Sequence, residues 1–366
     1  MWRRVDKTYL GIVVVLLIIG FIAFASASLG MLPREAVSVP RLFMTQVILG
    51  VILGSLALIT ALFIPHRWYK RVALLMYLFT VLLTFLVFVP GLGISAGGAT
   101  RWLDLGIISV QPAEFLKLGV VFLLATHLAM VKARIREFRY GLIPFLIILG
   151  VALVPLVLQP DTGTLLVLAT TAVTMYFASG APWRDMGILA VLGGIGVVLL
   201  AYVRPYIFER LTTFLNPAND PLGAGFQIQQ SLIAIGSGGI TGRGIGQGVQ
   251  KFTYLPEPVG DSIFAVFAEE TGFVGAFLLI ALIVALFARG MHISARAPDH
   301  FAALLVLGIS VSILAQSFLN IGAMLGLVPL TGLPLIFVSH GGTALLVALA
   351  SVGIILRISA NTKKTL

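Results

Sequence analysis

An all-α polytopic membrane protein with about ten transmembrane helices is what this sequence specifies, and three observations carry that expectation. Hydrophobic residues fill 59% of 366 positions and charged ones only 10%, where soluble domains carry about 25% charged residues. Mean hydropathy is +1.08. The 24 Lys and Arg residues are gathered into short blocks between long apolar runs, the pattern of orientation signals flanking membrane helices.

Runs able to cross about 30 Å of hydrocarbon lie near 10–30, 43–64, 72–89, 111–131, 141–158, 164–179, 187–203, 262–288, 300–322 and 335–357. The first begins basic and ends in the small residues Ala25, Ser26, Ala27 and Ser28, as a secretory signal does. Its apolar run of about 18 residues exceeds the usual 7–15, so an uncleaved first helix is expected. Arg3, Arg4 and Lys7; Arg67, Lys70 and Arg71; Lys132, Arg134, Arg136 and Arg139; Arg184; Arg289 and Arg296; and Arg357, Lys363 and Lys364 then fall on one side. That side is the cytoplasm, with both termini on it. The large hydrophilic segment 204–260 is placed outside, as is 90–110, which is too short and mixed to span and is expected to be a loop with an interfacial piece anchored by Trp102. With no repeat and no soluble segment, residues 1–366 form a single membrane domain.

The same composition excludes several functions. A net charge of +10 would suggest nucleic acid in a soluble chain, but here the charge is spent on orientation, and no nucleic-acid partner is expected. No cysteine is present, which removes disulfides, thiol nucleophiles and Cys-ligated metals. His66, His127, His292, His300 and His340 show no zinc spacing, there is no GxSxG elbow, and GSGGITGRGIGQG (236–248) meets neither nucleotide-loop pattern.

Ionisable residues near helix ends are the candidates for chemistry, because charge at a membrane boundary is costly. Glu114 and Lys117 in QPAEFLKL are three apart and share a helical face. Asp161 in QPDTGT and Asp261 at the entrance to a long apolar helix belong to the same membrane side. Each has a structural alternative: a neutralising pair for the first two, and helix N-caps for the aspartates. Glu269 lies about 12 Å along the helix from Asp261 and some 80° round from it, while Glu270 faces nearly opposite. Arg243 and Lys251, on a flexible outer loop, suit an anionic headgroup or a solvated surface equally.

Taken together, GGATRWLDLGIISVQPAEFLKL, QPDTGT, NPANDPLGAGFQIQQSLIAIGSGGITGRGIGQGVQKFTYLPEP, DSIFAVFAEETGFVGA and NIGAMLGLVPLTGLPLIFVSHGG resemble the SEDS family (shape, elongation, division and sporulation) of polytopic peptidoglycan glycosyltransferases. The resemblance spans nearly the whole chain. FASAS, VPGLGISAGG and GQGVQKFTYLPEP are more similar to its FtsW branch than to its RodA branch. It implies polymerisation of lipid II on the outer face of the bacterial cytoplasmic membrane, in cell division, with elongation as the alternative. The family's essential aspartate falls on Asp261, and further important polar positions on Glu114, Lys117 and Asp161. In that scheme Asp261 is the general base, Lys117, Arg101 and Arg243 face the pyrophosphate, and Glu114 orients Lys117. The implied partners are a class B penicillin-binding protein transpeptidase and other divisome or elongasome membrane proteins. No protein-bound metal is implied, and a divalent cation at the diphosphate stays open.

Three places in the chain depart from the family pattern. Val259 and Gly260 replace the usual His-Thr before the aspartate, Ser339 to Ala344 reads SHGGTA, and Ser109 stands where a basic residue is common. A lipid II flippase is the rival from another class, and an inactive scaffold a third. Transporters set their ionisable groups near the bilayer midplane between repeats, unlike the pattern here.

Overall fold

A computed structural model describes residues 5–32, 39–96, 99–106, 108–217, 220 and 223–362. Arg3, Arg4, Lys363 and Lys364 of the orientation signals lie outside the described residues. The helices are α1 (Lys7–Leu29), α2 (Val39–Thr45) continuing through a π-helical stretch (Gln46–Leu53) into α3 (Gly54–Phe63), α4 (His66–Phe85), α5 (Pro112–Met130), α6 (Leu142–Leu158), α7 (Thr162–Ala178) and α8 (Trp183–Val203). There follow α9 (Pro205–Leu215), α10 (Ala224–Ser237), α11 (Gln250–Thr253), α12 (Ile263–Ala295), α13 (His300–Met324) and α14 (Gly342–Ser359). Each of the ten expected spans contains a helix, but the last begins at Gly342 rather than near 335, because residues 335–341 form non-helical backbone before α14. Among the described residues eight helices are long and apolar enough to cross a membrane, and α6 and α7 are shorter apolar helices.

Helix α13 stands at the centre, packed against α12, α7 and α5. Its buried residues, from Phe301 and Leu304 to Gln316 and Asn320, occupy most of its circumference, as expected of a helix enclosed by others. At the opposite extreme, α8 buries only Asp185. Helices α3 and α14 approach so closely that a Cβ at Gly353 would lie 2.3 Å from the Leu58 carbonyl oxygen, the small-residue contact that lets membrane helices associate.

One face of the bundle carries both termini. Arg289 at the end of α12 pairs with Asp6 at 2.8 Å, the Asp6 amide donates to Ser359 Oγ, and His66 Nε2 meets Asp299 at 3.0 Å. Asp6 and Asp299 also cap α1 and α13 by accepting from the Tyr9 and Ala302 amides, as Asp does at an N-cap.

The other face departs from expectation twice. Residues 90–110 are not a plain loop: β1 (Gly93–Ala96), β2 (Ala99–Asp104) and β3 (Ser109–Val110) form an antiparallel sheet in the order β1-β2-β3, with Leu103 of β2 opposite both Gly93 and Val110. The alternating, β-branched and aromatic residues of ATRWLD suit a strand, and the sheet lets a short polar segment satisfy its own backbone. Secondly, α12 does not descend continuously from Asp261. It breaks at Gly272 (φ 68, ψ −167), a conformation open to glycine alone. The spanning part is therefore 273–295.

The half-helix 263–271 lies across the face rather than into the membrane. Glu270 meets Ser26, about 29 Å along α1 from Lys7, and the Asp261 carbonyl meets Asn320, about 30 Å along α13 from His300. Both ends thus sit at the far ends of spanning helices. The break leaves backbone groups unpaired, and the 236–248 segment pairs them. The Arg243 and Gly244 amides donate to the Glu269 and Glu270 carbonyls, while the Phe273 and Val274 amides donate to those of Gly239 and Ile240. Irregular backbone at this depth persists only where protein satisfies it.

Candidate active site at the face opposite the termini

Asp261 lies between α10, α12 and α13, partly buried. Gln227 of α10 donates to its Oδ1 at 3.1 Å and to Ser262 Oγ at 3.0 Å. Asn320 of α13 donates to the Asp261 and Leu333 carbonyls, each at 2.7 Å. The His340 amide donates to the Val259 carbonyl, which fastens the 255–261 turn to the segment before α14. Asp261 does not cap α12: Ser262 holds that position without a side-chain cap. No described residue hydrogen-bonds to its Oδ2. Burial pushes the Asp261 carboxyl up to about 6, with Glu257 adding to the shift, while Gln227 and Arg210 offset part of it.

Two guanidinium groups lie at this face, and one of them, Arg210, is within electrostatic reach of the Asp261 carboxylate. Arg101, projected by β2, donates from Nε to the Gln159 carbonyl at 3.3 Å and from Nη2 to the Pro160 carbonyl. Arg210 of α9 donates to the Leu330 carbonyl at 2.6 Å and lies 4.4 Å from the Tyr206 ring. Arg210 is within electrostatic reach of Arg101, Asp261 and Asp161 together. Asp161 is buried and caps α7: the Thr164 amide donates to Oδ1 at 3.1 Å and its hydroxyl to Oδ2 at 2.8 Å. Both of its oxygens are therefore engaged, and its effect on this cluster is electrostatic.

Glu114 and Lys117 form the buried pair that their spacing suggested, at 2.8 Å. Lys117 also donates to Gln316 Oε1, and Gln316 Nε2 donates to the Pro334 carbonyl at 3.0 Å. The pair borders a cavity of about 30 Å³ enclosed by α5, α13 and α14, and Glu114 Oε1 is buried without a partner. Gln316 and Asn320 are one turn apart on α13. They link Lys117 and Asp261 to the same 333–334 backbone.

The structure separates Arg243 from this group. It pairs with Glu269 at 3.7 Å and joins none of the interactions around Asp261. The loop that carries it is pinned rather than free, and Lys251 is fully buried, 2.6 Å from Glu270 and 2.8 Å from Ser26 Oγ. Glu269 accepts from the Val249 and Gln250 amides. The two glutamates thus fasten the loop, and neither lines a site with Asp261. Sequence reasoning missed Arg210, Gln227, Gln316 and Asn320. The last two carried a signal, since polar residues four apart in an apolar span face one side and seek partners. Among the described residues no three His, Asp or Glu side chains form a metal-binding group.

A discontinuous helix, two arginines and a partly buried carboxylate thus share one face of a polytopic helical membrane protein. Residues 7–364 match the cell cycle protein family that comprises FtsW, RodA and SpoVE, and the chain belongs to that family. Stage V sporulation protein E of Bacillus subtilis is 39% identical over 311 residues, 85% of each chain. The probable peptidoglycan glycosyltransferase FtsW of Escherichia coli O6:H1 is 36% identical over 362 residues, 98% of this chain and 86% of that one. Among solved structures, a chain from a peptidoglycan synthase complex that coordinates polymerization and crosslinking superposes with a TM-score of 0.79 at 28% identity, covering 99% of both chains. RodA of Thermus thermophilus gives 0.72 at 27%, covering 100% of this chain and 99% of that one. The chain is a multi-pass protein of the bacterial cytoplasmic membrane.

Proposed function

We propose that this peptidoglycan glycosyltransferase of the SEDS family polymerises lipid II at the outer face of the membrane, with Asp261 as general base. One observation carries the assignment: Asp261 combines an Oδ2 that no described residue hydrogen-bonds with a carboxyl pushed up to about 6, within electrostatic reach of the positive Arg210. The acceptor sugar hydroxyl gives its proton to Asp261 as its oxygen bonds to the donor's anomeric carbon. The bond from that carbon to phosphate breaks, and undecaprenyl diphosphate departs with the electron pair. A carboxylate held near neutrality is a stronger base than a free one, and fixed cations stabilise the charge growing on the leaving diphosphate. Arg101 and Arg210 take that second task. Lys117 and Glu114 act as positioning residues through Gln316, and Arg243 steadies the loop at Glu269.

The termini face the cytoplasm in this scheme, and segment 204–260 lies outside. The FtsW-like motifs support a division role beside a class B penicillin-binding protein transpeptidase, and the transpeptidase that co-purifies separates division from elongation. Purified protein given labelled lipid II with its transpeptidase partner yields a glycan ladder if this assignment holds. Transport of lipid II across vesicles without a ladder identifies a flippase instead, and neither outcome identifies a scaffold.

A further inference from the structure

The termini-bearing face holds a second site, away from Asp261. Between the start of α4, the end of α5 and the start of α13 lies an open cavity of about 420 Å³. Arg67, Lys70 and Arg71 line one wall, and the partly exposed Ala129 supplies apolar surface beside the buried Phe301. All three cations are exposed, and no ion pair engages them among the described residues. The one carboxylate at the rim, Asp299, is already occupied: it caps α13 through the Ala302 amide and meets His66 Nε2 at 3.0 Å.

The backbone adds to the field in the same sense. Helices α4 and α13 both begin at this cavity, so the positive ends of two helix dipoles face it, offset in part by the negative end of α5, whose Ala129 also lines it. Pro65 occupies the N-cap of α4 and offers no side-chain cap, which leaves first-turn amides without that partner. His300, also in the wall, has a buried Nε2 without a hydrogen-bond partner. Charge needed only to orient the chain during insertion has to lie on the correct side. It has no need of a concave site or of two convergent helix starts.

We propose that this cavity binds the headgroup of an anionic phospholipid from the adjoining leaflet, with the phosphate at Arg67, Lys70 and Arg71 and the upper acyl chains against Ala129. Basic pockets between membrane helices at this depth suit phosphate headgroups. The position favours a lipid over a soluble phosphate ester, because the cavity opens where three membrane-spanning helices, α4, α5 and α13, begin or end, and the adjoining leaflet presents headgroups there.

The test is native mass spectrometry of the purified full chain released from nanodiscs containing phosphatidylcholine with or without phosphatidylglycerol. Two variants are compared: R67Q/K70Q/R71Q in the cavity, and R134Q/R136Q/R139Q, which removes equal charge from the same face outside it. Retained phosphatidylglycerol is expected on the parent chain and on the second variant. On the first variant its affinity falls roughly 10²-fold, at about fivefold for each of the three phosphate-facing cations lost. Equal weakening in both variants, or no preference for phosphatidylglycerol over phosphatidylcholine, overturns the site. In a parallel arm, inorganic phosphate and glycerol phosphate are titrated against the bound lipid. Displacement at micromolar concentration reassigns the cavity to a soluble phosphate and overturns the lipid proposal, whereas retention supports it. Thermal melting of both variants verifies that each is folded before the comparison is made.

Discussion

At Asp261 a single carboxyl is held by Gln227 on one oxygen and, among the described residues, has no hydrogen-bond partner on the other. A general base acts only when ionised, so kcat/KM is expected to fall tenfold per pH unit below about 6 and to level off above it. Asp261→Asn should lower glycan synthesis by at least roughly 10²-fold and abolish that acidic limb. Stability moves the other way. The folded value of about 6 exceeds the ordinary 3.8, so the folded state holds more protons between those pH values and loses stability as pH rises through them. Above that window the ionised carboxylate costs about 1–3 kcal/mol, partly relieved by solvent. Asp261→Asn is therefore expected to melt at a higher temperature than the parent at pH 8, and an unchanged or lower melting point would argue against the shift. For Arg210, replacement by Gln should cost roughly 10²-fold in rate and weaken inhibition by added pyrophosphate. If Arg210 only holds the Leu330 carbonyl, the rate falls while pyrophosphate inhibition stays. The Glu114–Lys117 pair behaves as a unit: Lys117→Met alone strands a buried carboxylate at about 3–5 kcal/mol, and adding Glu114→Gln restores most of the melting temperature. Full recovery of polymerisation in the double variant would show that neither charge touches substrate.

At the scale of elements, the break in α12 creates the site. A continuous helix through Gly272 would carry Asp261 away from Asn320 and leave the 236–248 segment without its four backbone partners on α12. Gly272→Ala meets two penalties at once. Its φ of 68 is unfavourable for any side chain, and its Cβ would lie 2.3 Å from the Gly242 nitrogen. A loss of about 2–4 kcal/mol is expected, read as a lower melting temperature, together with lost polymerisation even though Gly272 adjoins no substrate group. Gly187→Ala in α8, whose Cβ would meet nothing within 4 Å, serves as the comparison and should leave both readouts unchanged.

At the scale of the whole molecule, every assignment depends on which side of the membrane each face occupies. The absence of cysteine makes this directly measurable. Ile240 is 73% exposed on the loop beside the α12 break, and Ala295 is exposed at the far end of α12. In spheroplasts, Ile240→Cys is expected to react with a membrane-impermeant maleimide, and Ala295→Cys only after permeabilisation. The reverse pattern places Asp261 in the cytoplasm and excludes an outward-facing polymerase.

Ten helices, their order and the basic face were legible in the amino-acid sequence because each depends on local quantities: run length, hydropathy and the position of Lys and Arg. The Glu114–Lys117 pair and the Asp161 cap were legible for the same reason, since their partners lie within one helical turn. Asp261 was legible as a candidate, but its surroundings were not. Gln227, Arg210 and Asn320 stand 34, 51 and 59 positions from it in the chain, and no local pattern reports such a meeting. The fate of the loop cations was equally hidden, because Lys251 and Arg243 read as free charge until Glu270 and Glu269 arrive from another element. The helix break was hidden too. One glycine in an apolar run fits a continuous helix as well as a broken one, and only the loop that pairs the freed amides and carbonyls makes the broken form the stable one. Sequence alone determined what must enter the membrane; tertiary packing decided which polar groups, once there, had a partner and left the Asp261 Oδ2 at the protein surface for chemistry.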